Sequence, residues 1–455
     1  MARCYGACLR KDCGILPPPM SLPPEQTRFA ALAHPDARRY LAARFLVSVA
    51  VQMQTVAVGW QVYEITRNPF DLGLIGLSQF LPFILLVLPA GQVADRYDRR
   101  RIVLAGYLLG AVASGMLLAI TLAGGTAASV LPIFGVMAMF GIVRAFNMPT
   151  SQALLPNLVP PEVFGNAVAL NTSLFQLATI GGPAVAGLLI ILGTPVVYAS
   201  VVALLLLASW LVLGLRGGGA SGQRGPREPI TLSHVLAGIT FVRGNRPVLG
   251  SISLDLFAVL FGGATALLPA FASDVLHVGP AGLGLLRAAP AVGAAVSGAL
   301  VAWRPICRGV GRWLFGGVAV FGAATVVFGL SSSFLLSAVA LTLLGAADMV
   351  SVYIRHLLVQ LQTPDPIRGR VSAVNAVFIG ASNELGEFES GVTAAWFGLV
   401  PAVLIGGSAT LLVAVTWTRL FPMLWRLEQF PEPARGTTVP DELREPAAGP
   451  TPQPG

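Results

Sequence analysis

Charge is scarce in this chain of 455 residues: Asp, Glu, Lys and Arg together make up 11%, against about 25% in soluble globular proteins. Hydrophobic residues make up 55%, and the mean hydropathy is +0.75. A water-soluble fold of this length cannot bury that much apolar surface, and a disordered chain would carry far less of it. Lysine is all but missing, since Lys11 is the one exception among 29 basic residues. Four cysteines are too few for a disulfide framework. Cys4, Cys8 and Cys13 match no zinc spacing and have no histidine close by. No nucleophile triad, phosphate-binding loop or metal-ligand set stands in the sequence. Neither an enzyme nor a cofactor is expected.

What abounds is long apolar runs. A bilayer core takes about 20 residues of helix, and twelve stretches qualify: 41–64, 72–93, 102–123, 128–148, 165–193, 195–215, 247–274, 280–303, 311–330, 334–357, 371–398 and 400–424. Unpaired backbone groups cannot sit in lipid, so each is read as a helix. The arginines test the count, because cytoplasmic loops collect them. With the N-terminus inside, the inward segments hold Arg38 and Arg39, then Arg96, Arg99, Arg100 and Arg101, then Arg304, Arg308 and Arg312, and later Arg368 and Arg370. The basic residues of the outward loops are Arg67 and His277. An error of one span scrambles this alternation. The expected architecture is an all-α membrane protein of twelve transmembrane helices in two pseudo-symmetric six-helix bundles, residues 36–215 and 247–425. Residues 216–246 read as a cytoplasmic linker with a short amphipathic helix near 231–243. Residues 1–35 and 426–455 are polar, Pro-rich and read as disordered cytoplasmic tails. The basic excess therefore faces the cytoplasm and needs no nucleic acid.

A shift of 204 residues exposes an internal repeat. It sets Gly141, Leu154, Pro160, Gly165, Ala169, Asn171, Gly182 and Gly187 on Gly345, Leu358, Pro364, Gly369, Ala373, Asn375, Gly386 and Gly391. Parallel repeats of six helices are the arrangement of major facilitator transporters. The same shift sets Arg144 on Asp348 and Pro183 on Glu387. One half then puts a cation where the other puts an anion, at related positions of spans 4 and 10, as expected of a shared cavity.

The loop between spans 2 and 3 runs from Gly91 through Asp95-Arg96 to Arg99-Arg100-Arg101. It resembles the major facilitator signature, in which glycine permits close helix approach and the aspartate bonds its own turn or a facing helix N-terminus. The related stretch of the second half, Gly298 to Arg312, has Ala302 and Trp303 in place of Asp-Arg. Span 5 contains Gly182, Pro183 and Gly187, which looks like the Gly-Pro motif of the family's exporters. There proline removes a backbone bond and small residues let the helix rock.

Ionisable residues inside a membrane are candidates for function. Here they are Arg144, Asp255, Arg287, Asp348, Glu384, Glu387 and Glu389. Glu384 and Glu387 share a helix face, and Glu389 lies well round the helix. These groups either carry a proton or lock helices together, for instance Arg144 with Asp348. Asp255 sits near the inner end of span 7, where it could equally snorkel. Arg355 and His356 fall at a span end and are expected at the interface. Gln52, Gln54, Asn147 and Asn375 are candidates to line a cavity. Trp60 and Tyr63 read as aromatic-belt residues.

With the run from Gln362 through Arg368-Gly369-Arg370 to Asn383-Glu384-Leu385-Gly386-Glu387, the chain resembles the branch of the superfamily that holds the enterobactin exporter and related bacterial efflux proteins. That resemblance implies a proton-driven exporter of siderophores or drug-like amphiphiles, multi-pass in the bacterial inner membrane. The working form is expected to be a monomer in lipid. The alternatives are an importer, or a sensor or scaffold that kept the fold.

Overall fold

The computed structural model describes residues 30–124, 129–216, 239–364 and 367–431. Among these residues there is no strand. Twelve long helices follow one another: α1 (Pro35–Thr66), α2 (Pro69–Arg96), α3 (Arg99–Leu122), α4 (Leu131–Leu154), α5 (Phe164–Ile190), α6 (Thr194–Leu213), α7 (Arg246–Phe261), α8 (Gly279–Trp303), α9 (Val310–Leu330), α10 (Phe334–Gln362), α11 (Arg368–Phe397) and α12 (Leu399–Leu420). Polar residues set several of the starts. Asn68 Oδ1 accepts from the Phe70 N–H at 3.1 Å, Asp98 Oδ1 from the Arg100 N–H at 2.9 Å, and Asn245 Oδ1 from the Val248 N–H at 3.2 Å, each a side-chain N-cap. Eleven spans among the described residues are long and apolar enough to cross a membrane. The twelfth is α11, whose 30 residues include three glutamates. The twelve-helix architecture expected from the sequence is the one the chain adopts.

The repeat is visible in the packing. In the first half α1 lies on α5 and α6, α3 on α4 and α6, and α2 on α4. In the second half α7 lies on α11 and α12, α9 on α10 and α12, and α8 on α10. Each pairing recurs six helices later. The repeat-related glycines sit at these crossings. A methyl group at Gly141 would strike Gln79 O on α2, and one at Gly345 would strike Pro290 O on α8. Leu154 and Leu358 are fully buried in equivalent cores.

The halves meet through α2 against α11 and α5 against α8. A methyl group on Gly187 would lie 2.5 Å from Pro280 O and 2.9 Å from Gly284 Cα. One on Gly391 would lie 2.8 Å from Gly73 Cα. Glycine is required at both crossings, and the two are partners in the 204-residue repeat. Both lie toward the end that carries Arg67 and His277, here called the Arg-poor end. Tyr63, Arg67 and Asp274 join the halves there as well. At the opposite, Arg-rich end a methyl group at Gly91 or Gly165 would meet nothing within 4 Å among the described residues. The closest backbone crossings between the halves, at Gly187 and Gly391, thus lie at the Arg-poor end.

Several features differ from the sequence reading. Residues 30–33, assigned to the N-terminal tail, form a 3-10 turn, and the Ala31 N–H donates to Asn166 Oδ1 on α5 at 3.0 Å. Residues 426–431 pack on the second half: Leu427 O accepts from the Gly311 N–H at 2.8 Å, and Phe430 meets Tyr353 edge-on at 6.5 Å. Of the amphipathic helix near 231–243, residues 239–243 are helical and 231–238 lie outside the described residues, as do 1–29 and 432–455. The seventh span is broken. After Phe261 and Gly262-Gly263 the chain makes a 3-10 turn (Ala264–Leu267), then a π-helical turn (Phe271–Val275). The Gly-Gly pair removes two side chains at the break and exposes backbone carbonyls that need partners.

Candidate functional site

Glu384 and Glu387 project from one face of α11 toward α2, where Gly76 makes room for them. A methyl group at Gly76 would lie 2.9 Å from Glu387 Oε2 and 3.4 Å from Glu384 Oε2. Arg144 on α4 reaches across from the first half, and its Nη1 donates to Glu384 Oε1 at 2.5 Å. The guanidinium carbon stands 4.8 Å from the ring centre of Phe83, a cation–π contact that orients the arginine. Arg287 on α8 lies on the other side. Its Nη1 donates to Thr265 O at 2.8 Å, which satisfies a carbonyl freed by the break in the seventh span. Its Nη2 is 3.9 Å from Glu387 Oε1. Two cations and two anions are thereby held between α2, α4, α8 and α11. The Arg144 side chain is 41% exposed and that of Glu384 is 14% exposed. The bridge joining the halves therefore borders an accessible space. Glu389 turns elsewhere and accepts from Thr393 Oγ1 at 2.7 Å.

The sequence offered Asp348 as a partner for Arg144; the partner in the structure is Glu384. Asp348 instead lines a small cavity with Asp255, Ser351, Gly317 and Phe321. Arg355 is not interfacial. It is 3% exposed and forms an ion pair with Asp255, which is buried rather than snorkelling. The reason is helix length: α10 continues to Gln362, so Arg355 lies about two turns inside it. Residues 348, 351 and 355 then share one face of that helix.

The cavity candidates have separate placements. Gln54 accepts from Ser114 Oγ at 2.7 Å, buried between α1 and α3. Gln52 packs its Cβ over Gly182, and the Asn147 amide stands over Gly106. Buried oxygens of Asn147 and Asn375 (Oδ1 in each) have no hydrogen-bond partner among the described residues. Gln176, also polar within its span, crosses between the halves, its Nε2 donating to Ala291 O at 2.7 Å. In the α5 motif, Gly182 serves contact with α1, while Pro183 O and Gly187 serve contact with Gly284 on α8.

In the signature stretch, a methyl group at Gly91, inside α2, would meet nothing within 4 Å among the described residues, so the close approach expected of this glycine is not made there. Asp95 lies in the last turn of α2, and its side chain is outside the described set. Arg96 is exposed. Arg99 Nη1 donates to Ala153 O at 3.4 Å, at the end of α4. Arg100 Nε donates to Val212 O at 3.1 Å, at the end of α6. Both cations sit at helix C-termini, where the helix dipole favours them. Arg101 is 3.8 Å from Asp98 and almost fully exposed.

At the Arg-poor end, Tyr63 is buried rather than part of an aromatic belt. Its hydroxyl donates to Asp274 Oδ2 at 2.5 Å. Arg67 Nη1 donates to Asp274 Oδ1 at 3.1 Å and to Ser273 Oγ at 2.7 Å. The π-helical turn positions this aspartate, a residue that no motif or periodicity singles out.

Two repeated six-helix bundles, closed on one another at one end and holding a charge cluster between them, define a membrane transporter of the major facilitator type. The chain belongs to the transmembrane secretion effector family, which it matches over residues 26–434. It is 28% identical over 402 residues to the enterobactin exporter EntS of Escherichia coli O1:K1, covering 85% of this chain and 93% of that protein. The enterobactin exporter of Citrobacter koseri is 28% identical over 404 residues, covering 88% and 94%. Among solved structures, the nucleoside transporter NupG superimposes with a TM-score of 0.69 at 14% identity, over 85% of this chain and 99% of that one. A bacterial homologue of the human lysosomal transporter Spinster, inward-facing and unoccupied, gives 0.67 at 15% identity, over 86% and 96%.

Proposed function

We propose that the protein is a proton-driven exporter of a small molecule in the bacterial inner membrane, working as a monomer by alternating access. The Arg-rich end faces the cytoplasm together with both termini, by the loop-charge rule. The conformation described is then open inward, ready to receive a cytoplasmic substrate between the halves. The observation that carries the reading is the Arg144–Glu384 bridge. A proton on Glu384 removes its charge, and an anionic or hydrogen-bonding substrate takes up the donors of Arg144. Either event breaks the same bridge. Proton and substrate therefore compete for one contact, which is the requirement for exchange. Glu387, held by Arg287, offers a second carboxylate on the same face, while Asp255 and Asp348 form a further acidic pair within the second half. The relatives named as enterobactin exporters support a siderophore, or another amphiphile of similar size, as the substrate class.

The test is substrate-driven proton movement in vesicles containing the full chain. Glu384→Gln and Glu387→Gln are expected to abolish it while leaving expression and membrane insertion intact. Efflux unaltered in both variants rejects the assignment. An untargeted comparison of exported metabolites between a deletion strain and its parent identifies the substrate. No difference in any exported compound argues for a sensor or scaffold.

A further inference from the structure

The degenerate second copy of the signature loop, between α8 and α9, is built differently from the first. The exposed apolar residues Val292, Val296 and Leu300 line one face of α8 at spacings of four, and that stripe ends on Trp303, which is 77% exposed. On α9 the exposed Val327 and Val320 lead, seven residues at a time, to Trp313, which is 55% exposed. Exposed apolar stripes on membrane helices face lipid, and tryptophan marks the level where lipid tails give way to headgroups. Both stripes reach that level at the Arg-rich end.

Beside Trp313 stands a surface pocket lined by Arg308, Gly309, Arg312, Trp313 and Glu428. Arg304, on the same loop, holds its guanidinium carbon 5.7 Å from the Trp303 ring centre. Glu428 engages one of the three arginines, its Oε1 3.3 Å from Arg312 Nη2. Arg308 has no acidic partner among the described residues. The first turn of α9 has no side-chain cap, so its N–H groups add to the positive potential. Cations at headgroup depth, beside faces that contact acyl chains, complement a lipid that is both anionic and two-tailed.

We propose that this pocket binds the phosphate headgroup of an anionic diacyl phospholipid, with the acyl chains against the Trp303 and Trp313 faces. The mode of transport does not bear on it, and neither does the identity of the exported substrate. The loss of Asp-Arg at Ala302 and Trp303 then has a chemical sense, because an aspartate there would repel the headgroup.

Native mass spectrometry of the full chain, titrated with dioleoyl phosphatidylglycerol or dioleoyl phosphatidylcholine, tests the proposal. Phosphatidylglycerol is expected to bind in preference. Each arginine at the surface contributes a factor of about five, so Arg308→Gln with Arg312→Gln should weaken it by about 25-fold. Glu428→Gln should strengthen binding, an effect in the opposite direction that misfolding cannot imitate. Arg243→Gln with Arg246→Gln removes equal charge at the same end and should leave the preference intact. The proposal is overturned if that control loses as much as the pocket variant, if the pocket variant binds normally, or if Glu428→Gln has no effect. Inorganic phosphate that displaces the lipid at equal concentration also overturns it, in favour of a free-anion site.

Discussion

Arg144 and Glu384 come from opposite halves of the molecule, 240 residues apart, and meet at 2.5 Å beside the glycine that lets α2 clear the two glutamates. Phe83 holds the guanidinium in place, and Glu384 ties it to the second half.

If the two residues act as a unit, their substitutions are not additive. Arg144→Ala and Glu384→Gln should each reduce transport at least tenfold. The double variant should lose less than the product of the two, with a coupling of about 1–3 kcal/mol. Losses that multiply would mean that each group acts alone. Asp348→Asn should show no such coupling with Arg144, because Asp348 faces the Asp255 cavity.

The glycine crossings set whether the Arg-poor end closes. Leucine at Gly391 cannot fit with a methyl already 2.8 Å from Gly73 Cα, nor at Gly187 against the Pro280 carbonyl. Backbone cannot yield as a flexible side chain does. Spin labels at Leu192 and Leu335, exposed residues near that end in opposite halves, are expected to move apart in Gly391→Leu and in Gly187→Leu. Unchanged label distances in both variants would show that the crossings do not govern closure.

The latch of Tyr63, Arg67 and Asp274 adds to that closure. Two donors reach one carboxylate, and hydrogen bonds to a charged group contribute about 1.5–3 kcal/mol each when shielded, less when exposed. Asp274→Asn should therefore raise the population open at the Arg-poor end by roughly tenfold or more, given 1.4 kcal/mol per decade, while Tyr63→Phe gives a smaller rise. The same label pair reads both. Equal distances in Asp274→Asn and the wild type would mean that the latch is decorative.

Much of this was legible in the sequence. Hydrophobic runs and arginine positions suffice for twelve helices, since lipid permits no other backbone. The 204-residue repeat alone marks Gly141, Gly187, Gly345 and Gly391, glycines that stand at close helix crossings. Pairings were harder. Glu384 and Glu387 stood out as expensive charges, but repeat logic offered Arg144 to Asp348, because it relates positions between halves and does not say which helices face each other. Gly73 and Gly76 gave no signal, glycine being common in such helices, and their role appears only with α11 in place. A span drawn to residue 357, five short of the helix end at Gln362, puts Arg355 at the interface, and no periodicity announces the turn that positions Asp274.

Arg355 and Asp255 form the ion pair with the fewest alternatives. Both lie inside the second half, the arginine 3% exposed and the aspartate side chain 9%, so neither can recover water if its partner is lost. Removing one member of a buried pair leaves an uncompensated charge and typically costs about 3–5 kcal/mol. Arg355→Ala should accordingly lower the thermal midpoint of the purified protein by many degrees. Asp255→Asn combined with Arg355→Gln should recover most of it, because two neutral amides replace the pair without a stranded charge. Transport separates structure from coupling: a double variant that is stable yet fails to exchange protons would place Asp255 in the proton path beside Asp348. One that is stable and transports normally would confine the pair to holding α7 against α10.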